Sequence, residues 1–196
     1  MPTPRESARN AAAARTELLK MLKGDHKKVK KAFQSFERLD KQQQGDECQA
    51  LVTQTCNDLA LHTSLEEEVF YPAIRTVLRE PQLIDEAEVE HASAKTLIAD
   101  LRQMPPEDRA YTATFKVLGE YVKHHIGEEE SEIFPQLTRA KLDWDGLLGQ
   151  MTARRRALEE ELLPDGAMAS SQARSSRRRM VTEGSDAGDE SDQEQV

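Results

Sequence analysis

Four of the five histidines in this sequence fall on helical stripes whose other members are mostly apolar. Leu22, His26 and Val29, for example, follow one another at intervals of four and three, so an imidazole replaces an apolar core residue. A lone histidine on such a face is usually a hydrogen-bonded core residue. Four of them predict a shared site, and the inward-facing set is His26, His62, His91 and His125.

Two of these histidines are followed four residues later by a glutamate, Glu66 after His62 and Glu129 after His125. That spacing places both side chains on one helix face. Burying an ionised carboxylate without a partner costs more than a small bundle can tolerate, and the stripes offer few cations besides Lys95. Metal ions would compensate the charge. Two carboxylates can bridge two divalent or trivalent ions that four imidazoles also bind, a donor set that suits iron, and also manganese or zinc.

An internal repeat relates the two His–Glu pairs. The segment HTSLEEEVFYP begins at His62 and the segment HIGEEESEIFP begins at His125, and they align without gaps. His26 and His91 repeat as well, since each follows an acidic residue and precedes its HxxxE pair by 36 and 34 residues. We therefore expect two helical hairpins related by a pseudo-twofold axis, each supplying one histidine and one HxxxE pair to a two-metal centre.

The repeat also assigns the neighbouring polar residues. His124 and Glu128 have the same spacing, but only His125 lies ten residues before a proline, as the repeat requires. His125 is therefore the predicted ligand, and His124 is expected at the surface or just outside the ligands. Glu67 and Glu130 lie one residue past the predicted bridges, about 100° around the helix. We expect them to be solvated acids that can accept a histidine N–H.

Hydrophobic periodicity, proline and glycine predict an all-α, up-and-down four-helix bundle with extra N- and C-terminal helices. The predicted helices run over about residues 6–23, 25–43, 46–78, 81–104, from 105–107 onward, and 144–163, with a break at Gly24 and Asp25 as a helix cap. From Pro164 the Ser, Gly and charged residues predict disorder. The predicted divisions are an N-terminal extension 1–13, a bundle 14–140, an amphipathic helix 141–164 and a disordered charged tail 165–196.

Composition excludes several classes of protein. With 27 Lys and Arg against 36 Asp and Glu, the 196-residue chain carries a charge of -9, which argues against nucleic acid as a partner. No apolar run approaches the roughly 18 residues of a membrane-spanning helix, so we predict a cytoplasmic protein with no membrane partner. Cys48 and Cys56 are too few for a disulfide framework and are expected to be buried apolar fillers.

The segment 144–163 has its own apolar stripe, which includes Trp144, Leu147 and Met151. Packing of this helix across the bundle is the first interpretation. Binding of a protein partner or a second copy of the chain is the alternative.

The combination of DH at 25–26, HTSLEE with its YP, EH at 90–91 and HHIGEEE with its FP resembles the hemerythrin-like HHE cation-binding family, over about residues 14–140. The resemblance implies a four-helix bundle with a non-haem di-iron centre, bridged by an oxo or hydroxo group, with zinc or manganese as alternative metals. It implies, position by position, imidazole ligands and two bridging carboxylates: His26, His62, His91 and His125, with Glu66 and Glu129.

One departure from the family pattern bears on function. Oxygen-carrying hemerythrins are similar except that their third bundle helix bears HxxxH, whereas here Lys95 stands four residues after His91. That leaves a metal position open to water, peroxide or another ligand, or filled by Glu88, His124 or a tyrosine such as Tyr121. Simple oxygen storage is thereby disfavoured.

Two functions of different class therefore follow from the sequence. The first is a di-iron protein that binds, senses or reduces O2, peroxide or NO, or that handles iron. Peroxide decomposition and ferroxidase activity stay open under it, with no catalytic residue assigned. The second is a helical scaffold protein with a structural zinc or iron site.

Overall fold

The computed structural model describes residues 3–39 and 45–162, and within those ranges it contains helices and no strand. The all-α prediction is confirmed. Two π-helical turns, Glu66–Phe70 and Glu129–Ile133, continue longer helices, and a 3₁₀ turn spans Leu137–Arg139. The α-helices are α1 (Pro4–Arg38), α2 (Gly45–Leu65), α3 (Tyr71–Ile74), α4 (Gln82–Gln103), α5 (Tyr111–Glu128), α6 (Phe134–Gln136) and α7 (Trp144–Leu162).

The chain divides into two compact units, residues 1–155 and 156–196. The bundle lies in the first unit. The second unit is described only as far as Leu162, and there Arg156 and Glu160 form an ion pair along one helix face. The tail predicted to be disordered, residues 165–196, lies outside the described residues.

The four-helix bundle consists of α1, α2, α4 and α5, in which α1 and α4 each pack against both α2 and α5. Polar contacts fix the helix directions. Asp25 meets His62 while Lys28 meets Asp58, so residue numbers rise along α1 as they fall along α2, and the two helices are antiparallel. Helices α2 and α4 are antiparallel by the same criterion, since Glu67 in the π-turn after α2 meets Lys95 and Asn57 meets Arg102. Helices α1 and α5 are also antiparallel: Lys30 meets Glu130 in the π-turn after α5, and Glu37 meets Lys123.

The predicted break at Gly24 is wrong, because α1 continues through it without interruption. Glycine inside a helix costs only about 0.5–1 kcal/mol relative to alanine. The buried side chains on either side, such as Leu22 and Val29, outweigh that cost. Asp25 consequently does not cap a helix; the cap of α1 is Thr3, in a reciprocal capping box with Glu6.

The helix predicted to begin at 105–107 begins instead at Tyr111. Residues 105–110 form turns, in which the Asp108 N–H donates to the Pro105 carbonyl and the Ala110 N–H donates to the Asp108 side chain. An aspartate that bonds the backbone two residues on favours a turn over a helix.

Each π-turn keeps a long stripe of residues on the buried side. In both halves of the repeat the buried residues recur at intervals of four: His62, Glu66, Phe70 and Ile74, and His125, Glu129, Ile133 and Leu137. On a regular α-helix each step of four overshoots a full turn by about 40°, so three steps would carry the last residue about 120° away from the first. The wider π-turn takes up this drift.

Apolar layers lie on both sides of the predicted ligands. One is a large cluster that includes Val29, Phe33 and Phe115, together with the free, buried Cys48 and Cys56 that were expected there. Burial raises the pKa of the Cys56 thiol to about 11. The other layer includes the buried side chains of the π-turns and α3: Phe70, Tyr71, Ile74 and Ile133. Such surroundings exclude water and strengthen electrostatic interactions.

The first half of α7 presents Trp144, Leu147 and Met151, which are all buried within this chain. The indole N–H of Trp144 donates to the Ala140 carbonyl, so its polar atom is satisfied as well. No helix in the described ranges combines the length and the apolar content that crossing a bilayer requires.

Candidate metal centre

The six predicted ligands meet at one level of the bundle, and all are buried. Each of the four bundle helices supplies one histidine, and each glutamate is the first residue of a π-turn. Glu66 and Glu129 are 0 % exposed, so neither carboxylate is solvated. The sequence repeat therefore becomes a spatial cluster: His26 from α1, His62 from α2, His91 from α4 and His125 from α5.

The histidines are arranged as two pairs. The Nε2 atoms of His26 and His62 lie 3.2 Å apart, and those of His91 and His125 lie 3.0 Å apart. The two nitrogens of each pair thus converge on one point. This is the arrangement in which one ion can accept two imidazole ligands.

The two carboxylates link the histidine pairs. Glu66 Oε2 lies 3.2 Å from Nε2 of His62 and 3.5 Å from Nε2 of His91. Glu129 Oε2 lies 3.2 Å from Nε2 of His26 and 3.6 Å from Nε2 of His125. Each glutamate therefore faces one histidine of each pair, as a bridging ligand between two ions would.

Three carboxylate oxygens in this cluster are buried and have no hydrogen-bond partner: both of Glu66 and Oε2 of Glu129. Buried polar atoms are nearly always paired, so orphaned oxygens demand an explanation. The donor atoms form two overlapping groups, each within 4.8 Å: His26, His62, Glu66 and Glu129, and Glu66, His91 and His125. Nitrogen and oxygen donors in this number suit a pair of transition-metal ions.

The metal-free electrostatics differ between the two glutamates. Burial, together with the negative charge of Glu129, raises the pKa of Glu66 well above its ordinary value. Burial also acts to raise the pKa of Glu129, but the adjacent imidazoles of His26 and His125 outweigh it and lower that pKa to about 2. The metal-free cluster thus favours the protonated form of Glu66 and the ionised form of Glu129.

The pKa values of two of the histidines also reflect burial. Desolvation lowers the pKa of His62, and it lowers the pKa of His91 to about 2. These imidazoles are neutral at neutral pH, the form that binds a metal.

A carboxylate accepts a hydrogen bond from the Nδ1 atom of every clustered histidine. As expected, Glu130 contacts His26 (2.8 Å) and Glu67 contacts His91 (3.1 Å). The other two contacts were not predicted from the sequence: Asp25 with His62 (3.4 Å) and Glu90 with His125 (2.8 Å). The sequence signal for these two contacts is the acidic residue that directly precedes a histidine at 25–26 and again at 90–91. A proton held on Nδ1 leaves the Nε2 lone pair directed inward.

Each of these outer carboxylates also contacts a basic side chain. Lys95, which sequence periodicity placed on the inward stripe, is 45 % exposed in its side chain and pairs with Glu67. The exposed His124, expected at the surface, contacts Glu90 and Glu128. The remaining pairs are Lys30 with Glu130 and Arg155 with Asp25.

Tyr71 is a further member of the cluster that the sequence analysis left unassigned. Its hydroxyl donates to Glu129 Oε1 at 3.0 Å and lies 3.5 Å from His91 Nε2. The sequence signal for this role is a difference between the repeats, because the first has YP where the second has FP. Phe134, which occupies the position that matches Tyr71, stacks on His26. Of the side chains considered for the missing imidazole, Glu88 pairs with Arg75 at the surface.

A small cavity adjoins the histidines. Its volume of about 20 Å³ is enough to hold about one molecule of the size of water. Its polar lining consists of the four histidines with Asp25, Thr63, Glu90 and the half-exposed Tyr121, while neither Glu66 nor Glu129 contributes. Its apolar lining consists of Val29, Leu59, Ala94, Val122 and Ile126.

Comparisons with known proteins bear on the family and the fold. The model of the family described as Hemerythrin HHE cation binding domain matches residues 17–137. A crystal structure of a hemerythrin HHE cation binding domain-containing protein from Mycobacterium kansasii superposes with a TM-score of 0.59 over 75% of this chain and 92% of that one, at 21% sequence identity, which is evidence for the fold. A curated protein named DNA nickase, from Nostoc sp., is 27% identical over 114 residues. These are 58% of this chain, which spans only 31% of that relative's length.

Proposed function

We propose a two-metal redox function for this chain, which belongs to the hemerythrin HHE cation-binding family because that family's model matches more than half of its residues. In this proposal the chain holds two irons and binds, senses or reduces O2, peroxide or NO. The observation that carries the proposal is the pair of bridging positions, in which Glu66 and Glu129 each face one histidine of both pairs.

The residues present fit such a centre. The orphaned oxygens of Glu66 and Glu129 would bind the metal ions, and His26, His62, His91 and His125 would each direct Nε2 toward them. Two irons, when bound, supply one-electron steps to an oxidant. The chain supplies the rest: four carboxylates orient the imidazoles, and apolar layers exclude bulk water.

The cavity favours a small, weakly polar ligand. Its volume of about 20 Å³ fits a molecule the size of O2, NO or water, and apolar side chains form much of its wall. The hydroxyl of Tyr71, fixed by its bond to Glu129, is the buried proton donor that lies beside the histidine pair of His91 and His125. Lys95 stands where oxygen-carrying hemerythrins have a further histidine, so a metal ion held by this pair would have room for an exogenous ligand.

We do not extend nicking of DNA to this chain. The segment that resembles the nickase is 31% of that protein, and a chain with a charge of -9 lacks the excess of basic residues that phosphate backbones attract.

Elemental mass spectrometry of protein purified without chelator or affinity metal tests the proposal. We expect about two irons per chain, lost in His26→Ala and retained in His124→Ala, since His124 is exposed and outside the cluster. Stopped-flow spectra with O2, peroxide and NO would then identify the oxidant. One zinc or no metal, in a folded protein that also fails to bind ferrous iron anaerobically, would refute the redox function and favour a scaffold with a structural site.

A further inference from the structure

The two halves of the repeat differ in the basic side chains that contact their outer carboxylates, the ones that accept a hydrogen bond from a histidine Nδ1. In the half that includes His26 and His62, the guanidinium of Arg155 donates to Asp25 Oδ2, and the same oxygen accepts the hydrogen bond from His62 Nδ1. Arg155 and Asp25 are both about four-fifths buried, with side-chain exposures of 22 % and 21 %. This contact is therefore not a solvated surface ion pair.

The corresponding carboxylate in the other half has a weaker outer partner. Glu90 holds His125 as Asp25 holds His62, but beyond it lies His124, 3.5 Å away and 66 % exposed in its side chain. The other two outer carboxylates have equivalent partners in the two halves. Lys30 and Lys95 stand four residues after His26 and His91 and pair with Glu130 and Glu67. The pseudo-twofold symmetry of the centre is broken at Arg155.

Arg155 lies in α7, outside the residues 17–137 that match the family model. Its neighbour Arg154 also reaches the bundle, in an ion pair with Glu68, but Glu68 contacts none of the clustered histidines in the described structure. Arg155, by contrast, is connected to the predicted ligand His62 through a single shared oxygen atom, Oδ2 of Asp25. A planar guanidinium can fix a carboxylate in one orientation, whereas an exposed imidazole restrains it less.

We propose that Arg155 is a positioning residue for the metal position formed by His26 and His62. By fixing Asp25, it holds the His62 ring with Nε2 directed at the metal, so this position releases its ion more slowly than the position formed by His91 and His125. The inference rests on the proposed metal centre and adds that the two ions are unequal.

Cobalt(II) is a suitable probe because its absorption spectrum reports its ligands. The full-length chain is loaded with cobalt, and an excess of chelator is added while the spectrum is followed. In the wild type we expect one cobalt to leave faster than the other. Loss of an outer hydrogen-bonding partner typically weakens metal binding 10–100-fold. Arg155→Gln should therefore speed the slow phase about tenfold and leave the fast phase unchanged, with Arg155→Lys intermediate.

Matched variants separate positioning from a general loosening of α7. Arg154→Gln removes the neighbouring ion pair and should change neither phase, although it affects the same helix. Asp25→Asn should speed the slow phase, and adding Arg155→Gln to it should have little further effect, because both act through one contact. Glu90→Gln should speed the fast phase alone.

The outcomes distinguish this inference from the proposed function. If the wild type binds two cobalts and Arg155→Gln changes neither phase, or speeds both equally, the role of Arg155 is refuted while the centre stands. If the wild type binds no cobalt, zinc or ferrous iron, the centre and the role of Arg155 are refuted together.

Discussion

Replacing Glu66 by glutamine should stabilise the metal-free protein, even though it removes a predicted metal ligand. The carboxyl is fully buried, neither oxygen has a hydrogen-bond partner, and its pKa is raised well above the ordinary 4.5. From pH 4.5 up to that raised pKa, the folded chain keeps a proton that the unfolded chain has released. The free energy of unfolding therefore falls as pH rises through this window.

The size of this effect at pH 7 has an upper limit. The folded chain avoids burying the charge by keeping the proton, which costs about 1.36 kcal/mol for each pH unit above 4.5. At pH 7 the buried carboxyl can therefore destabilise the protein by at most about 3.4 kcal/mol. A buried amide and a buried neutral carboxyl have similar desolvation costs, so they nearly cancel in the comparison. We expect Glu66→Gln to raise the free energy of unfolding at pH 7, by at most about 3.4 kcal/mol, and to change it by almost nothing at pH 4.5.

Glu129 is the matched control, because it occupies the equivalent position and its pKa is lowered to about 2. Its ionised form stabilises the fold above pH 4.5, and that stabilisation is lost as pH falls toward 2. Glu129→Gln should therefore lower the free energy of unfolding by about 3 kcal/mol at pH 7. Urea unfolding with chelator present, followed by circular dichroism from pH 4.5 to 7.5, measures both variants. If Glu66→Gln destabilised the protein as much as Glu129→Gln at every pH, the reasoning would be refuted.

Two further substitutions test the packing around the centre. Tyr71→Phe removes the bond to Glu129 and should lower the metal-free stability by about 1.5–3 kcal/mol, the usual value of a hydrogen bond to a charged group; an unchanged urea midpoint would contradict the contact. Gly119→Ala places a methyl group 2.8 Å from the ring of Phe33 and should destabilise the protein by about 1–3 kcal/mol. At Gly127, where a methyl group meets nothing within 4 Å, alanine should instead stabilise it by about 1 kcal/mol, and equal melting temperatures for the two variants would refute this comparison.

Much of the cluster follows from the sequence, because local helical spacing determines it. A histidine and a glutamate four residues apart lie on one face of a helix whatever that helix packs against, and the repeat shows which face is shared. The outer contacts of Glu67 and Glu130 follow by the same rule, since each lies one residue past a bridge. That the six side chains are in fact metal ligands stays a prediction.

The contacts that the sequence does not reveal are those between distant helices. Asp25 follows a glycine, so local rules favour a helix cap, and only the crossing of α1 with α2 shows that it holds His62. Tyr71 meets Glu129 across 58 positions of sequence, and Arg155 meets Asp25 across 130. No periodicity extends over such separations, so these contacts require the tertiary structure.

Each π-turn holds one residue more than regular α-helical winding would need to connect the same two buried faces. Deleting one residue inside the turn Glu66–Phe70 should therefore restore α-helical winding and leave the later residues close to their present phase, since about eleven α-helical residues make three full turns and about 20°. The same deletion in the α-helical part of α2 would rotate everything after it by about 100° and move the hydroxyl of Tyr71 away from Glu129. The π-turns are thus the places in these helices that tolerate the loss of one residue without a change of phase.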